Sequence, residues 1–428
     1  MEKVDQKKIL VLGGTKHMIN VVETAKRMGM STIVVDNVIG SPAKSYADKS
    51  FNTSTADIEG LAKIVQQEKV DGVFTAFEDI NTWNAVALCK KMDLPFYATE
   101  EQLGITSNKD KFKEICRRFD VPVIEEKELA GELEETAVAT WEFPVIIKPV
   151  DSYASKGITV CYDTEEVKEG FAKAMDFSKS KKAIAERFID NSYGVQMFYT
   201  IQNSNIVLTA VCDRYVYKHS KEHPPLPTAM VFPSKHQDTF IETLDWRIRD
   251  MINGIGIENG TVFIQSLYED DNFYIYEMGF RLSGEQHYHI IEKQTDINIL
   301  EMMLDFAVSN PIDKYDLREY DNGHMPLPSC NLPILLKGGI IGEIRGLEEV
   351  KALPEVISCV INVDQGDEVI VTGSYTQMFG RFNIVANSTA ELYETIENVY
   401  NILQITTKAG EDMLLTKFVP EPLPIGQE

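Results

Sequence analysis

Positive charge is scarce in this chain: 42 lysines and arginines face 66 aspartates and glutamates, a formal net charge of −24. A nucleic acid or an anionic membrane surface would need a basic face, so neither is expected as a partner. Small anions stay open, because a phosphate pocket needs only local positive charge. Long apolar runs are missing too. No stretch approaches the roughly 18–20 apolar residues of a membrane-spanning helix. The opening MEKVDQKKILVLGG holds an apolar run too short for a signal peptide, and a cytoplasmic protein is expected. The six cysteines (Cys89, Cys116, Cys161, Cys212, Cys330 and Cys359) are scattered, with no CxxC and no metal-ligand spacing, which predicts reduced thiols. Neither internal repeats nor low-complexity tracts occur. No Ser/His/Asp or Cys/His set points to a nucleophilic side chain.

What is present reads as a globular chain, 44% hydrophobic and 25% charged. Its 428 residues exceed one ordinary core and predict about two to four domains. KILVL ends at Gly13-Gly14, a helix-like stretch runs to Met28, and STIVVD follows. The pattern repeats, with ADIEGLAKIVQQEKV as helix, DGVFTAF as strand and INTWNAVALCKKM as helix, which predicts a doubly wound parallel sheet. A dinucleotide fingerprint would read GxGxxG where this loop reads GGTKHM, so NAD is not expected. SNKDKFKEICRRFD reads as a helix closed by Val121-Pro122. The Pro-containing stretch Asn310 to Pro333 reads as a boundary. Beyond it lie the short strands GGIIGEIRG, VISCVINV, DEVIVTG and FNIVAN and the amphipathic helix TAELYETIENVYNIL.

The residues that carry chemistry come in a particular order. VIIK sends an apolar strand into Lys148, whose desolvated ammonium needs an anionic partner such as a phosphate. The loop DSYASKG follows, and its Ser152, Ser155 and Gly157 are small enough for backbone N–H groups to approach phosphates. Lys156 adds charge to that loop. Much later, YEMGFRLSG places Glu277 and Arg281 just past an apolar β-rich run. Mg²⁺ or Mn²⁺ prefers oxygen ligands and keeps several waters, so one or two carboxylates suffice. A planar, permanently charged fork like Arg281 suits a phosphoryl oxygen bearing developing charge. His287 and His289 follow, placed to orient a carboxylate or to take a proton from an amine. Arg214 precedes the proline-stiffened HPPLPTAMVFPS and is a candidate clamp for a carboxylate.

In order and spacing, KILVLGGTKHMINVVETAKRMGMSTIVVD, Asn108-Lys109 ahead of Val121-Pro122, VIIKPVDSYASKG, AERFID and YIYEMGFRLSG resemble the ATP-grasp ligases over about residues 5–310. Most similar is the branch of the L-amino acid ligases and carbamoyl-phosphate synthases, with GGIIGEIRGLEEVKALPEV…GDEV as the C-terminal likeness. The resemblance implies an α/β and α+β architecture. A Rossmann-like pre-ATP-grasp domain would span residues 1–104 and a two-lobed ATP-grasp domain 105–315, with a lid at about 122–190. A C-terminal α+β domain would span 316–428. It also implies that Lys109 (with Lys111 as rival) and Lys148 contact phosphates, and that the loop 151–157 folds over them. Glu186 and the hinge Arg187, Phe188 and Ile189 would face adenine. Glu277 would hold the metal, with Gln265 where many relatives carry a second Glu, and Arg281 would stabilise the acyl phosphate. Gly194 and Gln196 stand where relatives often carry a ribose-binding acidic residue or histidine.

The expected activity is therefore an ATP-dependent carboxylate–amine ligase with small-molecule carboxylate and amine substrates, and family habit suggests a homodimer. An ATP-dependent carboxylase of the biotin carboxylase type is the rival within the superfamily. Gln265 motivates a rival of another class, an ATP-binding protein with impaired catalysis.

Overall fold

In a computed structural model, the described residues are 6–420 apart from 130, 132, 134–137, 139, 151–156, 191, 218–225, 322 and 372–374. The apolar, β-branched runs KILVL and STIVV become β1 (Lys8–Leu12) and β2 (Ser31–Val35), almost wholly buried because helices cover both faces of their sheet. Between them lies α1 (Met18–Arg27). With β3 (Lys49–Phe51) and β4 (Gly72–Phe74) they form a parallel sheet in the order β3-β2-β1-β4, with α2 (Ile58–Glu68) crossing from β3 to β4 and α3 (Asp79–Met92) following β4. Next come α4 (Glu100–Ser107), opened by a Thr99/Gln102 capping box, and α5 (Lys109–Arg118). The Asn108 side chain caps α5 by accepting from the Lys111 N–H at 3.0 Å.

A second, antiparallel sheet in the order β5-β8-β6-β7 combines β5 (Glu126–Leu129), β6 (Val145–Pro149), β7 (Thr159–Cys161) and β8 (Ala183–Arg187). Val167 and Ala174 of α6 (Thr164–Phe177) pack on Val145, Ile147 and Cys161 in its small core.

The largest sheet has eight strands, and its order crosses the middle and the C-terminal parts of the chain. β9 (Tyr193–Gln202), β10 (Asn205–Tyr217), β11 (Leu226–Phe232), β12 (Gly260–Glu269) and β13 (Asn272–Phe280) come from the middle. Between β11 and β12 lie α7 (Gln237–Thr243) and α8 (Asp245–Ile255), and after β13 α9 (Tyr288–Thr295) and α10 (Ile299–Ala307). β14 (Ser329–Leu335), β16 (Val356–Ile361) and β18 (Met378–Val385) extend the sheet to the order β13-β12-β9-β10-β11-β14-β18-β16. The join is the β11–β14 pairing, with Met230 opposite Asn331. β15 (Gly339–Arg345), β17 (Glu368–Val369) and β19 (Gln404–Thr407) make a separate three-stranded sheet, while α11 (Leu347–Lys351) packs on β16 and α12 (Thr389–Ile402) on β14 and β18.

The stretch read as a boundary up to Pro333 therefore ends inside a buried strand. Pro333 is tolerated because pairing with β11 stops at Asn331, so its missing N–H interrupts no ladder on that side.

Candidate active site

The nucleotide side begins at β6. Lys148, near its end, donates to Glu186 Oε2 of β8 at 2.5 Å. Glu186, 4% exposed, also accepts from Lys113 of α5, and Lys113 bridges on to Glu126 of β5. Burial pushes the Glu186 carboxyl up, but the Lys148 and Lys113 ammoniums outweigh it and hold its pKa below the ordinary carboxylate value. Burial pulls the Lys148 ammonium down against the attraction of Glu186. Two lysines share that one carboxylate, and each keeps it ionised. Lys109, exposed in the first turn of α5, adds its field to both Lys148 and Glu277. Lys111 is exposed on the same helix.

Past Glu186, Arg187 pairs with Glu269 and lies 5.1 Å from the Tyr274 ring centre, the Phe188 N–H donates to Pro144 O at 3.1 Å, and Ile189 is buried. Glu269 is thereby occupied, and Asp270 and Asp271 (φ 50° and 59°) make the tight β12–β13 turn, so this acidic run serves a hairpin. The expected phosphate-loop residues Ser152, Ser155 and Lys156 lie outside the described residues, as do His219 and His223. Gly157 is buried at φ +80°.

On the β12–β13 hairpin, Gln265 stands directly opposite Glu277, while Ser266 faces Ile275, so Tyr276 is the extra residue of a bulge. The bulge brings the Tyr276 hydroxyl to Gln265 Oε1 at 2.7 Å, and Gln265 Nε2 donates to Gln196 Oε1 at 3.2 Å. Glu277 opens to solvent, yet crowding by protein atoms pushes its pKa up against the pull of Arg281. One carboxylate and one amide oxygen face each other here. This donor set fits a magnesium ion that takes its remaining ligands from phosphates and water. No cluster of three His, Cys, Asp or Glu able to hold a metal occurs among the described residues.

Arg281 follows β13. Its Nε and Nη2 donate to Asp79 Oδ1 and Oδ2 at 2.5 and 3.3 Å, and Nη1 donates to Leu282 O at 3.2 Å. The guanidinium carbon lies 5.2 Å from the Phe263 ring centre. Gly279 makes room for that ring, since a Cβ there would stand 2.1 Å from it. The small residue in EMGFR thus supports the arginine from beneath.

The floor continues into a buried polar network. Glu285 accepts from Ser283 Oγ at 2.8 Å and Gln196 Nε2 at 3.2 Å. Asn331 of β14 donates to the Glu285 carbonyl and to Asn383 Oδ1, each at 2.7 Å, and accepts from Arg381 Nη1 at 2.8 Å. Burial pushes Glu285 up, but Arg381 and Arg214 overcome it and hold its pKa below the usual range. The network reaches the first domain through Gln286 Nε2, which donates to the His17 carbonyl at 3.4 Å. His287 is buried on Phe198 (ring centres 3.6 Å apart), and His289 is half-buried. Burial above all lowers both to about 4, so both are neutral near pH 7.

Lys109 thus acts electrostatically on both Lys148 and Glu277, Arg281 and Arg214 act on Glu277, and Gln265 stands opposite it. Sequence reasoning missed Lys113, Asp79, Glu285, Asn331, Asn383 and Arg381. For Lys113 a signal existed, because it shares the buried face of α5 with Phe112 and Cys116. For the others the partner comes from a distant part of the chain.

Residues 108–315 match the family described as carbamoyl-phosphate synthase L chain, ATP binding domain, and residues 6–106 match the ribonucleotide synthetase preATP-grasp domain. The chain belongs to the ATP-grasp superfamily. Formate-dependent phosphoribosylglycinamide formyltransferase of Methanocaldococcus jannaschii is 28% identical over 194 residues, 44% of this chain and 50% of that protein. The chain thus spans about half the length of the curated relatives it matches. In fold, this ATP-grasp chain is similar to phosphoribosylglycinamide synthetase from Anaerococcus prevotii, with a TM-score of 0.76, 20% identity and coverage of 94% of this chain and 100% of that one. L-amino acid ligase from Bacillus licheniformis gives a TM-score of 0.74 at 18% identity, covering 94% and 99%. No helix among the described residues is long and apolar enough to cross a membrane.

Proposed function

We propose that this ATP-grasp chain is an ATP-dependent carboxylate–amine ligase, forming an amide or peptide bond through an acyl phosphate. A substrate carboxylate oxygen attacks the γ-phosphorus of ATP, the bond to the β-phosphate oxygen breaks, and ADP leaves. An amine nitrogen then attacks the acyl carbon, loses a proton, and expels phosphate. The observation that carries the reading is the electrostatic grouping in which Lys109 acts on both Lys148 and Glu277, and Arg281 on Glu277. Phosphoryl and acyl transfer of this kind needs positioning and charge stabilisation more than a nucleophilic side chain.

In this reading Lys109 and Lys148 hold phosphate oxygens, the segment 151–157 covers them, and Glu186 with residues 187–189 faces the base. Glu277 and Gln265 hold Mg²⁺ or Mn²⁺, and the ion, when bound, neutralises charge on the triphosphate. Arg281 meets the acyl phosphate, with two of its five N–H groups left over from Asp79 and Leu282. Arg214, His287 and His289 belong to the substrate side.

A second reading, nucleotide binding without turnover, rests on Gln265, whose amide is engaged at both ends by Tyr276 and Gln196. Phosphate release from ATP across single and paired carboxylates and amines, with Glu277→Gln as control, separates the readings. Release that needs both substrates and disappears in the control supports a ligase. Release with bicarbonate and no amine would turn the assignment to a carboxylase. ATP binding without any release would favour the second reading.

A further inference from the structure

β10 runs through the middle of the eight-stranded sheet and carries Arg214 half-buried. Its cross-strand partners are Gly194 of β9 and Met230 of β11. A charge on a sheet face is ordinarily met by a cross-strand neighbour. Here one neighbour has no side chain and the other is apolar and buried. A larger residue cannot take the place of Gly194, because a Cβ there would stand 2.4 Å from the Ser266 carbonyl oxygen. Among the described residues the guanidinium has no hydrogen-bond or ion-pair partner, and its Nε is sealed from solvent without an acceptor. The fields that reach it come from Tyr276, Glu285 and Glu277. Neither carboxylate closes on it: Glu285 is taken by Ser283 and Gln196, and Glu277 lies beside Arg281.

Burial works against the Arg214 charge, but Tyr276, Glu285 and Glu277 more than offset it and raise its pKa; none of them hydrogen-bonds the guanidinium, so its N–H groups remain for an anion from outside the chain. We infer that Arg214 docks a carboxylate of the substrate other than the one that is phosphorylated. The substrate class is then a dicarboxylic acid on the acid side or an amino acid on the amine side. This inference rests on the ligase reading above. Distance argues for a second carboxylate. β10 lies three strand steps from β13, which leads into Arg281, so one carboxylate does not meet both arginines. A single guanidinium fork matches the two oxygens of one carboxylate.

The test uses the full chain, ATP and Mg²⁺, with Arg214→Lys and Arg214→Met beside the wild type. In the acid arm hydroxylamine serves as the amine, and succinate and glutarate are compared with butyrate and valerate. In the amine arm glycine and alanine are compared with their amides. One arm is expected to favour the compound with the extra carboxylate by roughly tenfold or more in kcat/KM. That ratio should collapse toward one in Arg214→Met and survive in part in Arg214→Lys, and the responding arm names the source. A ratio unchanged in Arg214→Met, or a variant that slows both members of a pair equally, would overturn the inference. Absence of release with every compound would sink the ligase reading by itself. Calorimetric titration with sodium succinate, sodium glutamate and sodium phosphate then decides the anion site. Carboxylate binding weakened about tenfold in Arg214→Met sustains it, while no binding, equal binding or a phosphate preference overturns it.

Discussion

Arg281, just past the end of β13, is gripped by Asp79, in the first turn of α3, through a fork of 2.5 and 3.3 Å. The two residues belong to different parts of the fold, and a parallel backbone bond from the Phe77 N–H to the Leu282 carbonyl (3.2 Å) ties the same segments. The first domain therefore fixes the orientation of the arginine assigned to the acyl phosphate. Asp79→Asn should lower kcat by about 10–100-fold, as expected when a positioned charge loses its orienting partner. KM for ATP should stay within about twofold, because Asp79 touches none of the phosphate lysines. Because the Asp79 side chain is 67% exposed, thermal stability should change little. Steady-state phosphate release and a melting curve check both halves. A variant that melts early and keeps kcat would reduce Asp79 to a structural contact.

The buried group Lys148–Glu186–Lys113–Glu126 predicts a stability effect instead. Removing one partner strands the others, so Lys113→Met should cost about 3–5 kcal/mol and Glu186→Gln a similar amount. Glu186 is held below its ordinary value of 4.5, so its contribution is complete above pH 4.5 and is lost as pH falls through the lowered native value. Urea denaturation of wild type and Glu186→Gln should accordingly differ most near neutral pH and converge in strong acid. A gap that widens on acidification would contradict the assignment.

That group also marks how far the sequence could be read. KDKFKEICRR offers three lysines of the same chemistry, and only the helix phase that turns Phe112, Lys113 and Cys116 inward tells them apart. KILVL and STIVV announced the parallel sheet because buried strands read as apolar runs. The Gln265–Glu277 pair was within reach because a single tight hairpin joins its strands. Asp79 carried no signal, since an acid in a first helical turn has an ordinary dipole explanation and its partner is 202 positions away. β14 was hidden by Pro333, whose tolerance depends on where β11 stops pairing, a fact of tertiary register.

Gln265 makes a prediction with two signs. Gln265→Glu adds a hard, charged ligand opposite Glu277, so the Mg²⁺ concentration giving half-maximal phosphate release should fall by about tenfold. Without metal, two like charges then face each other across the ladder, so the metal-free protein should lose up to about 1 kcal/mol. Melting curves with and without Mg²⁺ should therefore spread further apart in the variant than in the wild type. An unchanged metal requirement would mean that Gln265 is no ligand and serves only to hold Tyr276 and Gln196.

His17 and His287 are 7% and 4% exposed, and burial above all pulls each from 6.5 to about 4. Between those values the unfolded chain takes up a proton at each site and the folded chain does not. The sign follows directly: their stabilisation is complete above pH 6.5 and drains away as pH falls toward 4, by about 1.4 kcal/mol per pH unit for each histidine. The apparent free energy of urea unfolding should therefore decline over this window in the wild type. His287→Gln should flatten that decline by one proton equivalent, and the double variant with His17→Gln by two. The same burial keeps His287 neutral at working pH, so the activity profile should show no limb near 6.5 from its titration. A limb there that vanishes in His287→Gln would show instead that the substrate recharges this histidine, and would move it from the packed floor into the chemistry.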